Sequence, residues 1–283
     1  MTTPAESESY SALKRSPSPA GLRRWGRDAL LAIALPSITL VLLLALWDWA
    51  VVYFNIPSTL LARPGAVVSE LYYGVTSGLL AKHTLITMQE VVYGFAVGAF
   101  AGFVLGAAVA ESTWTRLALY PFLVAFQMIP KVAIAPLFII WLGYGVSSKV
   151  AFTASITFFP VVINTIVGLR SVDAEVLEMM RVFRASRWQT FWQVKLKFAL
   201  PYLFASLEVA MVLSVIGAIV AEFVGATGGL GYLILQQMHT LETARVFAVL
   251  VVLSLLGIVL SWVIRVAARR ALFWHESERG TPS

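Results

Sequence analysis

Six runs with little or no charge divide the chain. Residues 29–47 carry no charge, and the run continues past Asp48 to residue 54. Residues 91–110, 150–169 and 246–264 are uncharged, 117–148 contain only Lys131, and 198–221 contain only Glu208. A helix needs about 20 apolar residues to cross the hydrocarbon, so each run predicts one membrane span. The third is the least regular. Pro121, Pro130 and Pro136 are expected to kink or break it, leaving one bent span or a span plus a half-helix.

The intervening segments predict the rest. The first run is too long for a signal-peptide core and is expected to be an uncleaved anchor. Residues 55–83 are mixed and mildly amphipathic, which suits a helix lying at the interface. Residues 173–201, DAEVLEMMRVFRASRWQTFWQVKLKFALP, pack three acids, five bases and two tryptophans between long apolar runs. Asp173 is placed to cap a helix, with Glu175 in its first turn. Val176, Met179, Met180 and Phe183 recur at helical spacing as an apolar face. Ser186 and Gln189 match a capping box for a second short helix, and Pro201 falls just inside the next span. The expected organisation is a disordered tail over 1–26, a six-span domain over 27–272 containing a loop at 171–197, and a second tail over 273–283.

Composition agrees with this pattern. Only 13% of the 283 residues are charged and mean hydropathy is +0.82, against roughly 25% charge in soluble domains. There is no cysteine, which excludes a disulfide framework and a thiolate metal site. His83, His239 and His275 form no metal spacing. Net charge is +6, but in a membrane protein basic residues report topology. Sixteen of the 21 Lys and Arg fall on the side of the two termini and of the 173–197 loop, and four on the other, with Lys131 inside a span. This asymmetry predicts that the termini and that loop are cytoplasmic.

Several constellations carry candidate chemistry. An amphipathic helix with exposed Met and Phe suits either a protein partner or the lipid headgroups, with Trp188 and Trp192 as interfacial anchors. Gly94, Gly98, Gly102 and Gly106 make one smooth helix stripe, for packing within the chain or at a two-fold subunit interface. Lys131 lies in IPKVAIAP. An intramembrane charge is costly, and broken helices often frame substrate sites. Lys131, with Gln127 and Glu208, therefore marks either a substrate pathway or a structural ion pair between Lys131 and Glu208. Glu90 is a further intramembrane acid, whereas Asp48 and Glu222 are expected to reach water near span ends. GATGGLG (225–231) lacks the Lys-Ser/Thr of a phosphate loop and reads as turn glycines in an external loop. No nucleophile–base pair or metal cluster is apparent.

The 173–201 stretch resembles the EAA loop of permease subunits of ATP-binding cassette importers. Glu178-Met179-Met180 take the start of that pattern, Val194 and Leu196 its later apolar positions, and Leu200-Pro201 a downstream Leu-Pro. IPKVAIAPLFIIWLGYGVSSK (129–149) and AEFVGATGGLGYLI (221–234) are similar to the nitrate/sulfonate/taurine branch. The resemblance spans roughly residues 60–270. It departs at Arg184, where the family has glycine, at Met179 and Met180, which replace small residues, and at Lys197, where an earlier proline is common.

The resemblance implies an all-α integral membrane protein with the type I importer permease fold, in a bacterial cytoplasmic (inner) membrane. It implies two ATPase subunits, which bind ATP and magnesium, docked through Glu178, Met179, Met180, Phe183, Arg184, Ala185 and Arg187. It further implies a second permease subunit forming a homodimer, and an external (periplasmic or extracellular) solute-binding protein. The chain itself is then expected to hold no cofactor or metal, to hydrolyse nothing and to contact lipid but no nucleic acid. The solute is expected to be a small organic anion such as a sulfonate, taurine or nitrate. Heterocyclic vitamin precursors fit nearly as well. The alternative reading is an ion-coupled secondary transporter using Lys131, Glu208 and Glu90.

Overall fold

The computed structural model describes residues 19–273, with side chains from residue 34 onward. Residues 1–18 of the tail expected over 1–26, and residues 274–283 of the tail expected over 273–283, lie outside the described residues. Two units are distinguished, residues 1–65 and 66–283.

The first unit holds α1 (Pro19–Tyr53). Its helix begins inside the stretch expected as tail. Residues 34–53 are long and apolar enough to span a membrane, and Leu40, Val41, Leu42 and Leu43 are all exposed. Beyond its end, Arg63 forms a two-pronged pair with Asp48 at 2.9 Å. Asp48 holds the Arg63 pKa above its ordinary value.

The second unit is a helical bundle. α2 (Pro64–Thr76) leads into α3 (Leu79–Glu111) through Gly78, at φ +74°. Then come α4 (Thr113–Gln127), α5 (Lys131–Leu142) and α6 (Val146–Arg170). The short α7 (Ala174–Val182) and α8 (Arg187–Thr190) follow, and a π-helical turn over Phe191–Lys195 feeds into α9 (Leu196–Gly225). α10 (Leu230–His239) and α11 (Thr243–Ala271) close the described chain.

Among the described residues, five helices are long and apolar enough to cross a membrane, and α4 with α5 make a sixth span only as a broken pair bent by 100°. Of the three prolines expected to disturb this region, only Pro130 interrupts the helix. Pro121 and Pro136 sit inside α4 and α5. Pro130 takes ψ 93° at the start of α5, and its ring disfavours a helical Ile129.

The core is built on α6, which packs against α3 on one side and α9 on the other. The glycine stripe of α3 makes this possible. Gly94, Gly98, Gly102 and Gly106 are buried against Thr153, Ala154, Thr157, Phe158, Val161, Val162 and Thr165 of α6. A Cβ at Gly98 would overlap Thr157 Oγ1 and approach the Ala154 carbonyl to 2.6 Å. The stripe thus serves a close contact within the chain. Val109, Leu123, Val162 and Ile166 fill one end of the bundle, and Leu80, Leu230, Leu233, Val249 and Leu256 the other.

Candidate functional site

The 173–197 loop takes its shape from local capping chemistry. Asp173 occupies the cap position of α7 without a side-chain hydrogen bond, and Glu175 lies in the first turn. α7 closes in a Schellman arrangement: Ala185 N–H donates to Met180 O at 3.0 Å, and Arg184 N–H to Arg181 O at 2.9 Å. This geometry needs a left-handed residue after the helix, and Arg184 supplies it at φ +55°. It is the position where the resembling family carries glycine.

The next turn is fixed by a reciprocal capping box. Ser186 N–H donates to Gln189 Oε1 at 2.8 Å, and Gln189 N–H to Ser186 Oγ at 3.2 Å. Lys195 then ties the loop to the end of α3 through Glu111 at 2.7 Å. Trp188 stacks on Phe191 at 6.3 Å between centroids, and Trp192 meets both edge-on at 5.4 and 5.6 Å.

No residue of α7 or α8 is buried. The apolar surface they offer is Met179 (50% exposed), Val182 (80%) and Phe183 (73%). Val176 and Met180, expected on the same face, are half-buried. Val182, three residues after Met179 and so at helical spacing from it, was left out of the face drawn through Val176, Met179, Met180 and Phe183. Glu178 is exposed and pairs with neither Arg181 nor Arg184. Ala185, Arg187 and Trp188 line a cavity of 780 Å³ between the loop and the last turns of α3.

At the other end of α3 the structure gathers a polar knot that the sequence did not foretell. Glu222 of α9, 1% exposed, folds back on the start of α10, where Gly231 N–H and Tyr232 N–H donate to its Oε2, the latter at 3.2 Å. Thr87 Oγ1 donates to Glu222 Oε1 at 2.6 Å and accepts from Leu230 N–H at 2.7 Å. Gly229 N–H donates to His83 Nδ1 at 3.0 Å. A carboxylate held by the N-terminal amides of a helix is favoured by the helix dipole as well as by hydrogen bonding. Gly229 takes φ +112°, and any side chain there would run into the Glu222 carboxylate. GATGGLG is therefore a turn clamped onto α3, and Glu222 does not reach water.

Beside it, Lys149 and Glu90 form a buried pair at 3.6 Å. That separation lies beyond hydrogen-bond reach. Lys149 spends its protons on the carbonyls of Tyr144 and Gly145, at 3.2 and 3.4 Å.

Lys131 stands apart from both acids. Its Nζ donates to Gln127 O at 3.3 Å and sits 4.6 Å above the Phe159 ring. Glu208 pairs instead with Arg265 at 3.3 Å. The structure thus brings Lys131 and Gln127 together at the α4–α5 break and separates Glu208 from them.

Residues 94–272 match the family described as binding-protein-dependent transport system inner membrane component. The riboflavin transport system permease protein RibX of Chloroflexus aurantiacus is 37% identical over 87% of this chain and 91% of that protein. The putative aliphatic sulfonates transport permease protein SsuC of Bacillus subtilis is 30% identical over 95% and 94%. The formylaminopyrimidine transport permease protein ThiX of Halalkalibacterium halodurans is 34% identical over 79% and 88%. Among solved structures, an inward-facing conformation of the MetNI methionine ABC transporter aligns with TM-score 0.57 at 20% identity, over 67% of this chain and 96% of that one.

Proposed function

The chain belongs to the binding-protein-dependent transport system inner membrane components and is a permease subunit of an ATP-binding cassette importer, and we propose that it receives its driving force through residues 173–197. The observation that carries this reading is the exposed ridge of Met179, Val182 and Phe183 on a helix with no buried residue. A helix that buries nothing in its own chain is stabilised by what covers it.

In this reading two separate ATPase subunits bind ATP and magnesium and seat α7 in a cleft. Two copies of the chain form the pathway, and an external binding protein delivers the solute. The termini and α7–α8 face the cytoplasm. Closure of the ATPases draws the two coupling loops together and alternates access across the pair.

The solute is proposed to be a small organic molecule. The relatives named above for riboflavin and formylaminopyrimidine favour a flat heterocycle. The sulfonate relative and a taurine permease relative favour the organic anion as the second reading. Lys131, held over Phe159 at the helix break, suits either, as a cation beside an aromatic ring. An ion-coupled mechanism through Lys131, Glu90 and Glu208 has no shared site, since Glu90 pairs with Lys149 and Glu208 with Arg265.

The test is reconstitution in vesicles with the ATPase and binding protein of the same system. Saturable uptake of labelled riboflavin, pyrimidine or taurine is expected only with all components and ATP. The chain alone should hydrolyse no ATP. Hydrolysis that tracks the purity of the isolated chain, or uptake driven by an ion gradient without ATP, contradicts the reading.

A further inference from the structure

Three guanidinium groups converge without a partner at the end of the bundle that carries α7. Arg116 of α4, Arg170 in the last turn of α6 and Arg181 of α7 make no ion pair or side-chain hydrogen bond among the described residues. With Lys195, which Glu111 already pairs at 2.7 Å, they line a cavity of 440 Å³ whose wall also holds Ser112 and Thr113. Like charges gathered in a recess repel one another, and guanidinium groups are shaped to hold a phosphate through paired hydrogen bonds. Arg170 and Arg181 are exposed and Arg116 half-buried, so the three unpaired guanidinium groups are accessible to an anion from outside.

A second cavity fixes what kind of anion. Arg116 and Arg170 also rim a groove of 690 Å³ walled by Leu117, Tyr120, Pro121, Ile166 and Val167. A cationic compartment thus opens onto an apolar one across two shared arginines. A soluble phosphate would use only the first compartment, and a packed helix only the second. Trp114, 84% exposed beside Arg116, is a side chain of the type that sits at headgroup level. Basic recesses between spanning helices, continuous with an apolar groove, match anionic lipid.

We propose that this double cavity binds an anionic phospholipid, with its phosphate among Arg116, Arg170 and Arg181 and an acyl chain along the groove between α4 and α6. Because Arg181 belongs to α7, the lipid braces the loop from its membrane side while Met179, Val182 and Phe183 stay free. The proposal rests on the membrane reading of the chain and not on ATPase docking, so the two fail separately.

The experiment titrates the full-length chain in detergent with phosphatidylglycerol or phosphatidylcholine and reads retained lipid by native mass spectrometry. Phosphatidylglycerol should be retained on the order of tenfold better than phosphatidylcholine. Arg116→Gln with Arg170→Gln should abolish that preference, and Lys82→Gln, at the other end of α3, should leave it intact. Val167→Trp, which fills the groove, should weaken retention of phosphatidylglycerol while the arginines remain. Should the glutamine pair fail to fold, Arg116→Lys with Arg170→Lys keeps the charge but loses the paired hydrogen bonds and should weaken the preference without abolishing it, and Val167→Trp then carries the test. Equal retention of both lipids, or a preference untouched by the glutamine pair and by Val167→Trp, overturns the proposal. Displacement of the lipid by millimolar inorganic phosphate alone assigns the recess to a soluble anion. Loss of the dimer mass with lipid retention unchanged assigns the groove to a second copy of the chain. Either of these last two results also overturns the proposal.

Discussion

Arg184 shows how a single side chain can sit against its backbone. The Schellman bend requires a left-handed residue, and a non-glycine residue there costs roughly 1–2 kcal/mol. Arg184→Gly should therefore raise the melting temperature of the purified chain slightly, by relieving about 1 kcal/mol, and leave the loop shape intact. A fall in ATPase coupling on that substitution would instead assign the guanidinium a contact with the partner. The buried pair gives a larger prediction. Lys149→Met strands Glu90, 0% exposed, and should cost about 3–5 kcal/mol in thermal unfolding. Adding Glu90→Leu should recover most of that loss, because a well-packed apolar pair is often no worse than a buried ion pair. At this scale the sequence disclosed what is local. The Ser186–Gln189 box is three residues long and could be read directly. Glu222 and Thr87 are 135 residues apart, and nothing in either neighbourhood announces the other. The acid expected in water is buried for that reason, and Lys131 was wrongly offered Glu208 as a partner.

Among the helices, small side chains decide which faces approach. The four glycines of α3 were visible as a stripe, but the partner was not, since a smooth face fits equally a neighbour in the same chain or in a second copy. The structure supplies α6. Gly98→Ala should therefore destabilise the bundle by about 1–3 kcal/mol or more through overpacking against Thr157 and Ala154. Gly257→Ala on α11, with nothing within 4 Å, should be neutral or stabilising by up to about 1 kcal/mol from helix propensity. Equal effects of the two in thermal unfolding would contradict the assigned packing. The broken third span was legible as trouble but not as a place. Three prolines were equally eligible, and only Pro130 lacks a surrounding helix that continues through it.

Across the whole molecule, sequence and structure bear on the same axis from different directions. The skew of basic residues predicts sides, and the structure puts the α7–α8 loop and the 225–231 turn at opposite ends of α3. Glu111 anchors the first and Thr87 the second. These anchors are separated by 24 residues of one helix, about 36 Å, which exceeds a typical hydrocarbon thickness of about 30 Å. In a background free of cysteine, Gln189→Cys and Thr227→Cys, both at exposed positions, should label from opposite faces with an impermeant thiol reagent, Thr227→Cys from outside. Labelling of both from one face would overturn the arrangement.

The central claim is that α7 transmits the work of a separate ATPase, and Phe183→Asp tests it most directly. Phe183 is 73% exposed, so an aspartate there should leave the chain inserted and dimeric. In the assembled importer it would place an unpaired charge in a buried interface, at a cost on the order of 3–5 kcal/mol. Co-purification of the ATPase and hydrolysis stimulated by the loaded binding protein should both collapse. Full retention of both, in a variant that inserts normally, would show that residues 173–197 are not the docking element.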